Sequence, residues 1–187
     1  MEKKVRKELV GKVDDKYSTI DKIEEINENS KNKYVLVKTT ENTEGNMTLD
    51  TIEVIYYYKK VEAQVIVKHV DEKTGEEIAD REYLGGYVGD DYTTSSKEID
   101  GYDLVKEKYP ENAKGTMEED VITVTYYYVK KVTVTVQYID VDTNEKLTDD
   151  ETITGHDGDE YRTDKKTING YDFVRVTEDE SGEMTEN

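Results

Sequence analysis

The chain has no cysteine, no tryptophan, one phenylalanine and one proline. Without cysteine, disulfides and thiolate metal sites are excluded. Basic residues are also scarce: 26 Lys and Arg face 45 Asp and Glu, for a net charge of −19. No basic stripe stands out, so nucleic acid and anionic membrane are not expected partners. No apolar run approaches the ~20 residues of a membrane span, and no signal-peptide pattern opens the chain. The sequence starts and stops inside a repeating pattern. A piece of a longer protein is therefore expected, with any signal or anchor outside it.

What is present in excess is tyrosine, 16 residues of it. Tyrosine pairs an apolar body with a wet tip, which suits thin modules whose cores lie close to water. The tyrosines are also repeated in order. Thr51–Lys60, carrying Tyr56-Tyr57-Tyr58, returns as Val121–Lys131, carrying Tyr126-Tyr127-Tyr128. Val65–Asp71 returns as Val134–Asp140, and Ile99–Val105 as Ile168–Val174. Gly101 to Gly170 and Asp71 to Asp140 are each 69 positions. Solenoid units run about 20–50 residues, and this longer period suits a small domain with its own core. Reach or multivalent contact is thus expected in place of one active site.

The period divides the chain into 1–60, an incomplete repeat, 61–131, a complete one, and 132–187, which stops before its Tyr-Tyr-Tyr strand. In the complete repeat, Ala63, Val65, Val67 and His69 alternate along an opening strand. Asp71–Gly75 reads as a turn. A second strand is expected over Glu77–Tyr83, broken by Gly85, Gly86 and Gly89, and a third over Tyr102–Lys106. In the last, Ile122, Val124, Tyr126 and Tyr128 share one face, and Thr123, Thr125 and Tyr127 the other. The first repeat starts near Arg6–Leu9, the counterpart of Arg81–Leu84, and carries an insertion. Its Ile20, Ile23 and Ile26, after Ser18 or Thr19 as the capping residue, predict a short helix. The expected class is mainly β (α+β): tandem β-grasp, ubiquitin-like modules of about 70 residues in an elongated rod, with a short helix in the first. The joints at Tyr58–Val61 and Tyr128–Val132 lack the Gly, Ser or Pro of a linker.

Acidic clusters such as Asp90-Asp91, Glu118–Asp120 and Asp149–Glu151 invite catalytic or calcium readings. Asp140–Glu151 has acids or amide at positions 1, 3, 5 and 12 of a calcium loop, but Glu145 stands where that loop needs Gly. The stretch from Asp71 does not repeat the pattern, so a solvated turn is expected. His69 aligns with Tyr138, and His156 with Tyr87; a ring exchangeable with a phenol reads as packing, not as a base or ligand. No phosphate loop, Ser/His/Asp set or Cys nucleophile is recognisable. No catalytic residue, metal site or cofactor is assigned, and an enzyme is not expected. The candidate contact residues are the outward tyrosines Tyr57 and Tyr127, with Thr123 and Thr125 beside the latter. An exposed aromatic next to hydroxyls suits stacking on a sugar ring.

The elements Val65–Asp71, Thr74-Gly75, Gly86–Tyr92, Gly101–Val105 and Val121–Tyr128 recur in order. The first four return at Val134–Asp140, Thr143-Asn144, Gly155–Tyr161 and Gly170–Val174. This set resembles the mucin-binding (MucBP) repeat of Gram-positive cell-surface proteins. The match covers 61–187 and is weaker over 1–60, where Asp14 replaces the second Gly. The resemblance implies an extracellular, cell-wall-attached adhesin, with peptidoglycan attachment through parts outside this chain. It also implies host mucin glycoproteins or glycans as partners, bound weakly and multivalently. A structural stalk that projects another binding domain is the alternative.

Overall fold

The computed structural model describes residues 8–177 and 179–186. Among the described residues the chain is mainly β, with one short α-helix in the first repeat. That repeat runs β1 (Lys16–Ser18), α1 (Ile23–Glu28), β2 (Tyr34–Thr39), β3 (Glu44–Asn46) and β4 (Tyr56–Lys60). The second holds β5 (Glu62–Asp71), β6 (Glu82–Tyr87), β7 (Asp91–Thr93), β8 (Tyr102–Leu104), β9 (Lys114–Thr116) and the first part of β10 (Ile122–Val136). The third uses the rest of β10, then β11 (Glu151–His156), β12 (Glu160–Arg162) and β13 (Ser181–Glu183). The chain forms two compact units. One holds the residues up to Lys68 with Arg81–Ser95 and Pro110–Thr125; the other holds His69–Asp80, Ser96–Tyr109 and the chain from Tyr126.

In the first unit, β1 pairs antiparallel with β3, β2 with β4, β5 with β6 and β7 with β9. Helix α1 buries Ile26 against Tyr34 and Tyr58, with Ile23 and Tyr56 at the margin. The helix starts later than the isoleucine spacing predicts. Lys22 is its N-cap and makes no side-chain cap bond, while Ile20 is 76% exposed. Thr19 is occupied elsewhere: its N and Oγ1 both bond the Thr43 carbonyl, at 2.8 and 2.9 Å. Of the predicted match Arg6–Leu9, Arg6 and Lys7 lie outside the described residues.

In the second unit, β10 pairs antiparallel with β8 and β11, and β12 with β13. β10 is one uninterrupted strand of 15 residues that ends the second repeat and opens the third. Its β-branched and aromatic residues carry no Gly or Pro to stop it. Val124, Tyr126 and Tyr128 are at most 1% exposed, so the expected alternation of faces holds. The opening turn of each later repeat also forms as expected. Asp71 Oδ1 accepts the Lys73 and Thr74 N–H groups at 2.8 and 2.9 Å, and Asp140 Oδ1 those of Asp142 and Thr143 at 2.8 and 3.0 Å. Gly75 and Asn144 take the left-handed conformation that closes these turns, with φ of 75° and 61°.

Two strand expectations need correction. The second strand is Glu82–Tyr87, not Glu77–Tyr83, and Gly85 and Gly86 lie inside it. The third is only Tyr102–Leu104, because the chain enters a 3-10 turn at Lys106–Lys108.

One lock appears three times. Gly11, Gly86 and Gly155 leave room for a methionine sulfur: a Cβ there would lie 2.5, 2.6 and 2.8 Å from the Sδ of Met47, Met117 and Met184. The backbones of Asp14, Gly89 and Gly158 are left-handed, at φ 68°, 94° and 89°. Their N–H groups donate to the same methionine carbonyls at 2.9, 2.9 and 2.8 Å. The methionine N–H groups return to the carbonyls of Asp15, Asp90 and Asp159 at 2.8, 2.7 and 2.7 Å. Tyr17, Tyr92 and Tyr161 lay their rings over Gly45, Gly115 and Gly182. Each hydroxyl donates to a carbonyl, of Asn42, Asn112 and Asp179. A methionine fills irregular space well, and here it closes each small module around one backbone knot.

Candidate functional site

The outward tyrosines differ in their access. Tyr127, between Tyr126 at 0% and Tyr128 at 1%, is 37% exposed. The pleat turns its ring away from the core. Its carbonyl accepts the Val105 N–H at 2.9 Å, which fixes the backbone beneath the ring. Thr123 is exposed and Thr125 half-buried on the same alternate positions of β10. The Thr123 carbonyl accepts the Asn112 side-chain amide at 2.9 Å, which ties the strand to the loop before β9. Tyr57, in β4, is half-buried, and the Lys38 ammonium sits 4.4 Å above its ring centre. A ligand ring must displace that cation before it stacks there.

The acidic clusters are engaged by neighbours. Asp150 accepts from Lys146 at 2.8 Å and Gln137 at 3.1 Å, and these bonds, Lys146 first, hold its carboxyl below the ordinary value. Glu151 accepts from Lys166 at 2.7 Å and Tyr138 at 3.2 Å, with the same effect, Lys166 first. Asp140 is held low by the backbone N–H groups of Thr143 and then Asp142, so its carboxylate serves its own turn. Asp91 pairs with Lys31 at 2.8 Å. Among the described residues, no group of three or more His, Asp or Glu side chains is placed to hold a metal ion.

The histidines are packed and bonded. His69 is 0% exposed. It stacks on Tyr126 at 5.6 Å, and its Nδ1 lies 2.9 Å from the Tyr128 hydroxyl. His156 Nε2 lies 3.0 Å from Asp103 Oδ2, which Lys131 flanks at 3.0 Å from Oδ1. These groups link the second repeat to the third. Lys73 adds bonds to Asp157 at 2.7 Å and Glu186 at 3.3 Å. The first and second repeats are linked likewise within their own unit. Asn32 Nδ2 donates to the Val88 carbonyl at 3.1 Å and to Asp90 Oδ1 at 2.7 Å, and Lys33 pairs with Glu119.

Sequence reasoning passed over the methionines and the junction residues. The signal for the methionines was present: Gly-x-Met occurs at Gly45–Met47, Gly115–Met117 and Gly182–Met184, in a chain with four methionines. Asp-x-Tyr precedes each one, at Asp15–Tyr17, Asp90–Tyr92 and Asp159–Tyr161. The junction bonds have no such uniform signature: Asp100 stands in the second repeat where the first has Asn32, and Asp142 in the third where the second has Lys73.

One locked β module recurs three times along the chain, with short strand-to-strand joints between the copies, which defines a tandem-repeat protein. The chain belongs to the MucBP domain family, whose model matches residues 3–59, 64–129 and 133–187. It is similar to Internalin J of Listeria monocytogenes serotype 4b (strain F2365), 42% identical over 135 residues, 68% of this chain and 14% of that protein. Internalin J of Listeria monocytogenes serovar 1/2a (strain ATCC BAA-679 / EGD-e) is 39% identical over 136 residues, 68% of this chain and 16% of that protein. Internalin I of the serotype 4b strain is 29% identical over 114 residues, 58% of this chain and 6% of that protein. The chain thus spans a small part of the length of these relatives. No helix among its described residues is long and apolar enough to cross a membrane.

Proposed function

We propose that this chain is the repeat region of a cell-wall-attached surface adhesin of a Gram-positive bacterium. It binds host mucin glycoproteins or their glycans weakly and gains strength from its repeats, 1–60, 61–131 and 132–187. Attachment to peptidoglycan falls to parts outside this chain. Tyr127 stacks on a sugar ring, the Thr123 and Thr125 hydroxyls bond its edge, and Tyr57 does the same in the first repeat once Lys38 swings away. The observation that carries this reading is the 37% exposure of Tyr127 between two buried tyrosines. Membership of the MucBP family supports the ligand class. Weak single contacts suffice, because linked sites can raise overall binding by about 10²–10⁴.

The uninterrupted β10 favours a second reading, a stalk that projects another domain. Binding of the whole chain to immobilised mucin and to a glycan array, with Tyr127→Ala and Tyr57→Ala alongside, separates the two. Loss of binding in Tyr127→Ala supports the proposed contact. Unchanged binding dismisses that contact and leaves the adhesin reading. A chain that binds no mucin or glycan is a stalk.

A further inference from the structure

With no cysteine in the chain, its sulfur is all methionine. Three of the four methionines sit in the repeated knot. Their access differs: Met47 is half-buried, while Met117 and Met184 are 5% and 3% exposed. Each sulfur borders its glycine together with a carboxylate. At Gly11, Gly86 and Gly155 an added Cβ would also lie 3.1, 3.3 and 2.8 Å from the Oδ2 of Asp15, Asp90 and Asp159. Those oxygens already accept the N–H groups of Lys12, Tyr87 and His156 at 2.7, 3.0 and 2.7 Å.

The other donors of the knot are engaged too. The Asp15, Asp90 and Asp159 N–H groups donate to the carbonyls of Lys12, Tyr87 and His156 at 3.0, 2.9 and 3.1 Å. Those of the left-handed residues and of the methionines make the bonds of the knot itself. The hydroxyls of Tyr17, Tyr92 and Tyr161 each donate to a carbonyl. A thioether is only a weak acceptor, so this arrangement leaves nothing unmet. A sulfoxide changes that, because its oxygen is polar and needs a donor. Here the new oxygen meets a carboxylate, no free donor among these groups, and no spare room beside the glycine. A buried acceptor without a partner carries its full desolvation penalty. The first repeat is the most vulnerable. Its sulfur is the most open, and Asp14 holds at φ 68° a backbone that glycine holds in the other two.

We propose that Met47, Met117 and Met184 are oxidation sites, and that an oxygen-atom donor of the peroxide class unlocks the module at each, Met47 first. The sulfur lone pair attacks one peroxide oxygen. An S–O bond forms, the O–O bond breaks, and the departing oxygen leaves as water with both protons. Sulfur is oxidised to the sulfoxide and the peroxide is reduced. The oxidised side chain no longer fits against its glycine, so the methionine withdraws. The N–H groups of Asp14, Gly89 and Gly158 then lose the carbonyls that hold them. Methionine sulfoxide reductase, with a dithiol as reductant, returns the thioether and water. Oxidation therefore acts on the stability of one repeat at a time, and the proposal does not depend on mucin binding.

Dilute hydrogen peroxide, added to the whole chain, is the probe, and peptide mapping by mass spectrometry reads each sulfoxide. Met47 sulfoxide should form roughly tenfold faster than the other two. Amide exchange at Asp14 should rise about tenfold or more in step with it, and at Gly89 and Gly158 only as Met117 and Met184 react. Reductase treatment should restore protection at all three amides. In Met117→Leu, a swap that cores tolerate well, peroxide should leave Gly89 protected while Asp14 still loses protection. Sulfoxide at a methionine whose partner amide stays protected overturns the proposal, as do equal oxidation rates at the three sulfurs. So does a peroxide-induced loss at Gly89 in Met117→Leu equal to that in the unsubstituted chain. The time course and its reversal use the unsubstituted chain, so they decide the matter even where leucine itself disturbs the knot.

Discussion

Gly89 and Gly158 form a matched pair that isolates the junction between the first two repeats. Both are left-handed, at φ 94° and 89°. An alanine there carries about 1–2 kcal/mol of backbone strain. At Gly158 the added Cβ meets only Glu183 Oε1, at 3.7 Å. Gly158→Ala should therefore cost only that strain. At Gly89 the Cβ would lie inside the Lys31 carbonyl, 2.8 Å from its carbon and 3.1 Å from Asn32 Cα. Carbon atoms prefer about 3.5–4.0 Å, so residues 31–33 must withdraw by roughly 1 Å. That loosens three bonds: Lys33 N to Val88 O at 3.2 Å, and Asn32 Nδ2 to Val88 O at 3.1 Å and to Asp90 Oδ1 at 2.7 Å. At a net value of about 0.5–1.5 kcal/mol each, their loss adds about 1.5–4.5 kcal/mol. Gly89→Ala should then cost about 2.5–6.5 kcal/mol and Gly158→Ala about 1–2 kcal/mol. Denaturant unfolding measures both, and hydrogen exchange at the Lys33 and Val88 amides localises the loss. Equal costs for the two variants, with Lys33 exchange unchanged in Gly89→Ala, would refute the reasoning. Asp14 holds the third copy of this backbone at φ 68°. Asp14→Gly should gain about 0.5–1 kcal/mol, relief of strain less the extra chain entropy of glycine.

In the first repeat, Ile26→Ala should cost about 2–4 kcal/mol in thermal or denaturant unfolding, because it opens the cluster with Tyr34 and Tyr58. Ile20→Ala, at 76% exposure, should be near neutral, and a similar cost for both would contradict the placement of the helix. At the junction of the second and third repeats, the Lys131 and then His156 bonds hold Asp103 below its ordinary 3.8, and Lys73 then the Glu186 amide do so for Asp157. A depressed carboxylate stabilises fully above its unfolded value, and that contribution fades as pH falls through the folded one. Protection of the Lys131 amide, bonded to the Gly101 carbonyl at 2.7 Å, should hold from pH 7 to about 4 and fall below it; loss already at pH 6 would contradict this. Mucin binding should weaken little with added salt and strengthen as pH falls, since a chain of net charge −19 gains nothing from attraction to acidic glycans. A steep loss in salt, read by surface binding, would point to ion pairs instead.

Alternation in β10 and the Asp71 and Asp140 turns were legible because strand period and turn chemistry are local properties. The helix start was not. Thr19 has two possible jobs, cap or strand partner, and the carbonyl of Thr43, far along the chain, decides between them. Glycines 85 and 86 read as breakers because glycine weakens strands. Gly86 instead sits inside β6 because Met117, 31 positions on, needs its space. Asp14 read as a departure from the glycine pattern, yet it adopts the same backbone, as Asp can in the left-handed region. For the candidate contacts, the outward turn of Tyr127 followed from alternation, whereas the Lys38 cation over Tyr57 depends on a cross-strand pairing that sequence does not reveal.

Selective 13C-methyl labelling of methionine tests the idea of one module used three times. The Met47, Met117 and Met184 methyl signals should share an ordered environment, and Gly11→Ala, Gly86→Ala and Gly155→Ala should each move only the signal of its own repeat. Three unlike environments, or one substitution moving all three signals, would contradict the account.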